Sequence, residues 1–344
     1  MKNPINVLSL SSSFALLLLP IAFFSSSSIA AQTQTQTPTQ KSLKVYNNPN
    51  PVAKVDVEYP ALAARRNYQG WIIADVDVAK DGSVSNVYVK QSFGGKEFIE
   101  PGIEAIKQWQ YKPKGKPAEQ FLTNVKLNFE KGGKQKVSGA FGRKYNKISN
   151  YIKANELDDA LENLQRISLE KLENIQELNL ALSLWANYAK KAGDKALQLS
   201  YLNKMNLNVR KDDANYVFAI LKQKLVLQMH FKHLVDVKRT FNDIKKLATA
   251  KPYLPAFEKA INNIDMLAFS SKDITIAGRI FDDEPFRHAL ARKKFSVTDV
   301  SGNLNDATLR CANKVKPLVI DKLTSITVKK NWSNCFIDIT GDNN

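Results

Sequence analysis

Residues Gly70 to Ser92 read GWIIADVDVAKDGSVSNVYVKQS, and this stretch decides the fold. Ile72, Ala74, Val76 and Val78 fall on one face, and Ile73, Asp75 and Asp77 on the other. That period of two marks a half-buried strand. Asp81-Gly82 follows, a pair suited to the positive φ of a tight turn, and Val84, Val87 and Val89 supply a return strand. The hairpin carries no His and no Cys. It is scaffold, and chemistry has to be sought elsewhere.

Downstream, Phe98, Ile99, Ile103, Ile106 and Trp109 recur at helical spacing. Pro101 is tolerable only in a first turn, so the helix should start near Phe98 and stop before Pro113. FLTNVKLNFE (121–130) alternates again. Phe121, Thr123, Val125, Leu127 and Phe129 are assigned to one face, and Leu122, Asn124, Lys126, Asn128 and Glu130 to the other. Upstream, YPALAARRNYQG predicts a short helix opened by Pro60. The economical arrangement is a three-stranded antiparallel sheet with a helix on one face and water on the other.

Tyr59-Pro60, Ala64, Gln69-Gly70, the alternating strand, Asp81-Gly82-Ser83-Val84, Phe98, Ala105, Trp109, Tyr111 and Pro113 occur in the order and spacing of the TonB C-terminal domain family. Residues 55–131 resemble that domain. Gly70 and the Asp81-Gly82 pair serve turns, while Trp109 and Tyr111 anchor the helix by aromatic burial. The resemblance implies a binding domain whose last strand offers a free edge. There a segment of an outer-membrane receptor, or another envelope protein, would pair by strand addition. The edge residues are then Leu122, Asn124, Val125, Lys126 and Asn128. Main-chain pairing tolerates side-chain change, so Asn124→Ala is expected to matter little.

The rest of the 344-residue chain frames this domain. Met1 to Ala31 has a thin basic start, an apolar run (FALLLLPIAFF) and a small-residue end, which reads as a signal peptide cut between Ala30 and Ala31. The competing reading is a retained inner-membrane anchor over residues 7–24. Residues 32–54 begin QTQTQTPTQ and continue through NNPNP, a flexible linker by composition. Residues 137–271 are nearly free of Gly and Pro and helical in period throughout. KANELDDALENL and KAGDKALQLSYL place Ala160 and Ala196 36 residues apart. That recurrence resembles a tetratricopeptide-like array of about seven helices, an α-helical solenoid of the kind that offers a concave face to partners. Residues 273–344 return to strands in ITIAGRIF, KKFSVTDVSG, KPLVI, SITVKK and CFIDITG, a small β module. Its two cysteines, Cys311 and Cys335, pair as a disulfide in an oxidising compartment. The fold class is α+β and multidomain.

Formal net charge is +17, and residues 131–270 hold 24 basic against 14 acidic side chains. The bland reading is a solvated basic helix surface. Nucleic acid is not expected as a partner, because no recognition motif accompanies the charge. Membrane contact is expected only if the N-terminal segment is retained. With three His, of which His230 and His233 share one helix face with Asp236 nearby, neither a metal site, a cofactor nor a catalytic constellation is supported. The chain therefore reads as a periplasmic interaction protein rather than an enzyme. The alternative is a membrane-anchored energy transducer, which the family implies but for which this chain lacks an intramembrane His and a long Pro-rich spacer.

Overall fold

The structure is a computed structural model and describes residues 41–113, 120–130, 137–209, 212–281, 285–320 and 325–342. The signal segment, its cleavage point and residues 32–40 of the linker lie outside the described residues.

The first part is built from α1 (Ala61–Arg66), β1 (Gly70–Val78), β2 (Val84–Phe93), α2 (Ile99–Lys107) and β3 (Gln120–Phe129). The sheet order is β2-β1-β3, antiparallel throughout. Ile72, Ala74, Val76 and Val78 point toward α2 and meet Phe98, Ala105, Ile106 and Trp109, as the alternation predicts. At the hairpin turn Asp81 Oδ1 accepts from the Ser83 N–H at 2.9 Å and from its hydroxyl at 2.7 Å. Gly82 has φ 90°, and a Cβ there would lie 2.0 Å from the Tyr111 carbonyl oxygen, so only glycine fits.

Two features depart from the sequence reading. The face of β1 assigned to water is covered: Trp71 and Phe93 pack with Leu178 and Leu182 of the helical region, and Ile73 sits against them. Two hydrogen bonds fix this seam: the Gln69 N–H donates to Glu173 O at 3.0 Å, and the Gln69 side-chain Oε1 accepts from the Ile175 N–H at 3.1 Å. The alternation of β3 also breaks. Val76 pairs with Leu122 but Ala74 with Val125, so Thr123 and Asn124 together oppose Asp75 in a β-bulge. One extra residue moves every side chain before it to the opposite face. Leu122, assigned to the polar face, is therefore buried beside Val125, Leu127 and Phe129, while Phe121 is only half-buried. Asn124 occupies the bulge with φ 57°, and its N–H bonds Asp75 Oδ1 at 3.2 Å.

Helices α3 (Gly139–Ala154), α4 (Leu157–Gln165), α5 (Ile175–Lys191), α6 (Lys195–Lys204), α7 (Ala214–His230), α8 (Leu234–Ile244) and α9 (Leu254–Phe269) follow. Four of them start on polar caps: Ser138, Asn174, Asp194 and Asp213 each accept from an N–H three residues on. Helices α5 and α7 are buried on more than one side, each sharing residues with two or more apolar clusters, and α3–α4, α5–α6 and α7–α8 pack as successive hairpins.

The last part holds β4 (Phe286–Ala289), β5 (Lys294–Phe295), β6 (Asn303–Cys311), β7 (Lys314–Pro317), β8 (Ile326–Thr327) and β9 (Phe336–Asp342). They form a sheet of order β4-β9-β6-β7 and a small β5-β8 pair. Cys311 and Cys335 are disulfide-bonded. Apart from an isolated bridge at Phe281, ITIAGRIF carries no strand; it packs Ile274 and Ile280 onto neighbouring cores instead of pairing. Residues 41–344 make one compact unit. The stretch 41–54 runs along it as a strap: Leu43 N–H bonds Asp265 Oδ1 at 2.8 Å, Asn48 Nδ2 bonds Thr123 O at 2.6 Å, and Val52 N–H bonds Gln110 O at 2.7 Å.

Candidate functional site

β3 ends the first sheet, so half of its main-chain hydrogen-bonding groups face away from β1. That outer edge is divided by the bulge. Before it, Phe121 N–H donates to Ala312 O in the β6–β7 turn at 3.0 Å, and Thr123 O accepts from Asn48 of the strap. After it, no described residue outside β1 hydrogen-bonds a main-chain group of Val125–Phe129. The five residues predicted to form the edge thus separate. Leu122 and Val125 lie in the core, Asn124 holds the bulge, and Lys126 and Asn128 project to the side of the helical region.

There they border a cleft of about 330 Å³, together with Asn206, Asn208, Val209 and Lys246. Its far wall is the α6–α7 loop. Reciprocal amide bonds hold that loop: Asn206 N–H to Asn179 Oδ1 and Asn179 Nδ2 to Asn206 O, both 2.8 Å. The Lys126 ammonium bonds Asn206 Oδ1, and Asn206 Nδ2 reaches Asn128 Oδ1 at 3.4 Å. Burial of the ammonium pushes the Lys126 pKa down to about 8, against smaller upward pulls from Glu130 and Asp212. Lys246 pairs with Asp243 at 2.6 Å on the exposed rim.

The bulge is anchored from the other side by the C-terminal module. Arg287 forks between Asp75 (Nη1–Oδ1 3.3 Å, Nη2–Oδ2 3.0 Å) and Asp338 (Nε–Oδ1 2.5 Å, Nη2–Oδ2 2.6 Å), stacked 4.2 Å from the Phe336 ring. Burial raises the Asp75 pKa despite Arg287, which lowers it.

The landmark residues do structural work. Tyr59 meets Phe98 and Phe129 edge-on at 5.9 and 6.1 Å, Pro60 precedes α1, and Trp109 Nε1 donates to Val55 O at 3.1 Å. Tyr111 is buried, which pushes its pKa up to about 12. Among the described residues no group of three His, Cys, Asp or Glu is placed to hold a metal, and no helix is long and apolar enough to cross a membrane. His233 is partnered not by His230 but by His288 of β4, ring centroids 5.1 Å apart, across the seam between α8 and the last module. Asn206, Lys246, Arg287 and Ala312 carry no local sequence signal; Asn206, Arg287 and Ala312 enter the site through contacts more than 75 residues away in the chain, and Lys246 by lining the same cleft.

The family model described as Gram-negative bacterial TonB protein C-terminal matches residues 55–130. Protein tonB2 of Pseudomonas aeruginosa is 34% identical over 86 residues, which cover 24% of this chain and 30% of that protein. The chain thus matches about a third of that relative's length. In ordered sequence pattern, in that match and in architecture, residues 55–130 are a TonB C-terminal-type domain.

Proposed function

We propose that this protein is a periplasmic interaction protein that binds an envelope partner by strand addition to β3, with the helical region as a second contact surface, and that it is not an enzyme. One observation carries the reading: β3 is terminal in a TonB C-terminal-type sheet, and its Val125–Phe129 segment makes no outward main-chain bond to any described residue. A short segment of an outer-membrane receptor is the partner class that the family resemblance implies. The second reading, a membrane-anchored transducer, is favoured by the match to a protein named tonB2. Mass spectrometry of the mature N-terminus separates the two: a start at Ala31 or Gln32 supports the periplasmic form, an intact Met1 the anchored one.

Cysteine crosslinking in cells tests the edge. Lys126→Cys and Asn128→Cys should capture a partner segment, and Lys222→Cys on exposed α7 should not. Capture at Lys222→Cys alone, with the strand variants folded, would move the binding surface to the helices. Asn124 is a poor crosslinking position because its φ of 57°, which Asn tolerates, would strain a cysteine.

A further inference from the structure

The main chain of β3 explains attachment but not selection, since any extended peptide can pair with a free edge. Selection has to come from what stands beside that edge. Val125–Phe129 opens onto the cleft walled by the α6–α7 loop, and the groups there are two amines and three amides: Lys126, Lys246, Asn128, Asn206 and Asn208. Among the described residues no carboxylate lines it; Glu130, Asp212 and Asp243 stand behind the wall, bonded to Asn128, the Asn208 N–H and Lys246 respectively. Among the described residues the Lys126 ammonium contacts only the neutral Asn206 amide, with Glu130 and Asp212 acting on it from beyond contact. A cation at the wall of a cleft, without a carboxylate contact among the described residues, is a place where an incoming anion is stabilised. The cleft is also roomy enough for one side chain and narrow enough to exclude a folded domain.

We propose that this cleft takes an extended peptide bearing an acidic side chain, whose main chain pairs with Val125–Phe129 and whose carboxylate engages Lys126. This rests on the strand-addition reading above. Chain geometry supports it: side chains of an added strand alternate between faces, so every second one points to the side on which Lys126 and Asn128 project. Lys126 would exchange a bond to an amide for one to a carboxylate, and Asn206 would be left to the peptide's amide groups. The bound carboxylate should also return the Lys126 pKa toward the ordinary lysine range.

Random heptapeptides displayed on phage and selected against the full chain provide the test. The expected result is a consensus with Asp or Glu at one fixed position. Such peptides, given a terminal Cys, form a disulfide with the Asn128→Cys variant. Glu→Gln in the peptide and Lys126→Met in the protein should each weaken binding about tenfold, as expected for loss of one charge-assisted bond. The two losses should not add, because both remove the same contact. Peptides captured at Asn128→Cys without an acidic preference would overturn the carboxylate proposal and leave strand addition standing. Peptides that bind but are captured only elsewhere, or no enriched peptide at all, would overturn both.

Discussion

Replacing Arg287 by Met tests how the C-terminal module holds the bulge of β3. The guanidinium bridges two carboxylates that are almost out of water, with side-chain exposures of 9% for Asp75 and 12% for Asp338. Methionine keeps the apolar stem over Phe336 and removes only the charge and its four hydrogen bonds. Removing one partner of a buried ion pair costs about 3–5 kcal/mol, because the remaining charge stays buried and uncompensated. Lys90 at 3.8 Å from Asp75 and Arg310 at 3.3 Å from Asp338 soften the loss, so about 3 kcal/mol is the figure to expect at pH 7. The pH dependence follows from the sign of the Asp75 shift. Its folded-state pKa is raised by burial, so its contribution to stability is most favourable below the unfolded carboxylate pKa and declines as pH rises through the folded value. Without Arg287, which lowers that pKa, the decline extends to higher pH. The deficit of Arg287→Met should therefore shrink as pH falls from 7 toward 4.5. Urea unfolding of both proteins at several pH values measures it, and Asp75→Asn added to Arg287→Met should restore most of the loss. A deficit below about 1 kcal/mol at pH 7, or one that does not depend on pH, would refute the account.

Other outcomes follow from single positions. Asn124→Ala should cost about 1 kcal/mol, because alanine holds φ 57° without the short polar side chain that lets Asn tolerate it, contrary to the near-silence that a regular edge strand would allow, whereas Asn124→Gly should be close to neutral in thermal melts. His288 is buried and its pKa lowered to about 4, so the folded state resists the proton that the unfolded chain accepts. Stability present above the unfolded His pKa of about 6.5 should fall by about 2 kcal/mol through His288 on going to pH 5, and His288→Phe should remove that part of the slope in chemical denaturation, leaving the part due to His233, whose pKa burial also lowers. Reducing Cys311–Cys335, a loop of 24 residues, should cost about 3.5 kcal/mol on the chain-entropy account, read as a lower melting temperature with two thiols newly titratable.

What could be read from the chain was whatever repeats within a few residues. The face of β1 toward α2, the Asp81-Gly82 turn, the helical period of residues 137–271 and the cysteine pair all have short-range signatures. The second face of β1 does not. Asp75 alternates as an exposed residue would, and the Arg287 that lets it be buried lies 212 residues away. One clue was present: Trp71, Ile72 and Ile73 run apolar without alternation, which is how strands covered on both faces read. The bulge had a weaker one, an Asn able to adopt positive φ where Leu122 falls out of phase with Val125. His233 and His288 meet only because β4 lies against α8, and no pattern in either segment announces it.

Asn124 divides β3 into two stretches with different duties. On the N-terminal side, Phe121 and Thr123 give their outer main-chain groups to the β6–β7 turn and the strap, so the free edge that the small domain would have alone is closed there by the rest of the chain. At the bulge itself, Asp75 receives both the Asn124 N–H and the Arg287 fork, which ties the strand's change of phase to the C-terminal module. Beyond it, Lys126 and Asn128 face a cleft whose other wall belongs to the helical region. The parts of the chain outside the TonB C-terminal-type domain therefore narrow its edge and surround what remains with amides and amines. Substitutions at 121–124 should register mainly in stability, and those at 126 and 128 mainly in binding, because the first group is tied to distant parts of the fold while the side chains of the second are bonded only to Asn206 and, for Asn128, to the neighbouring Glu130.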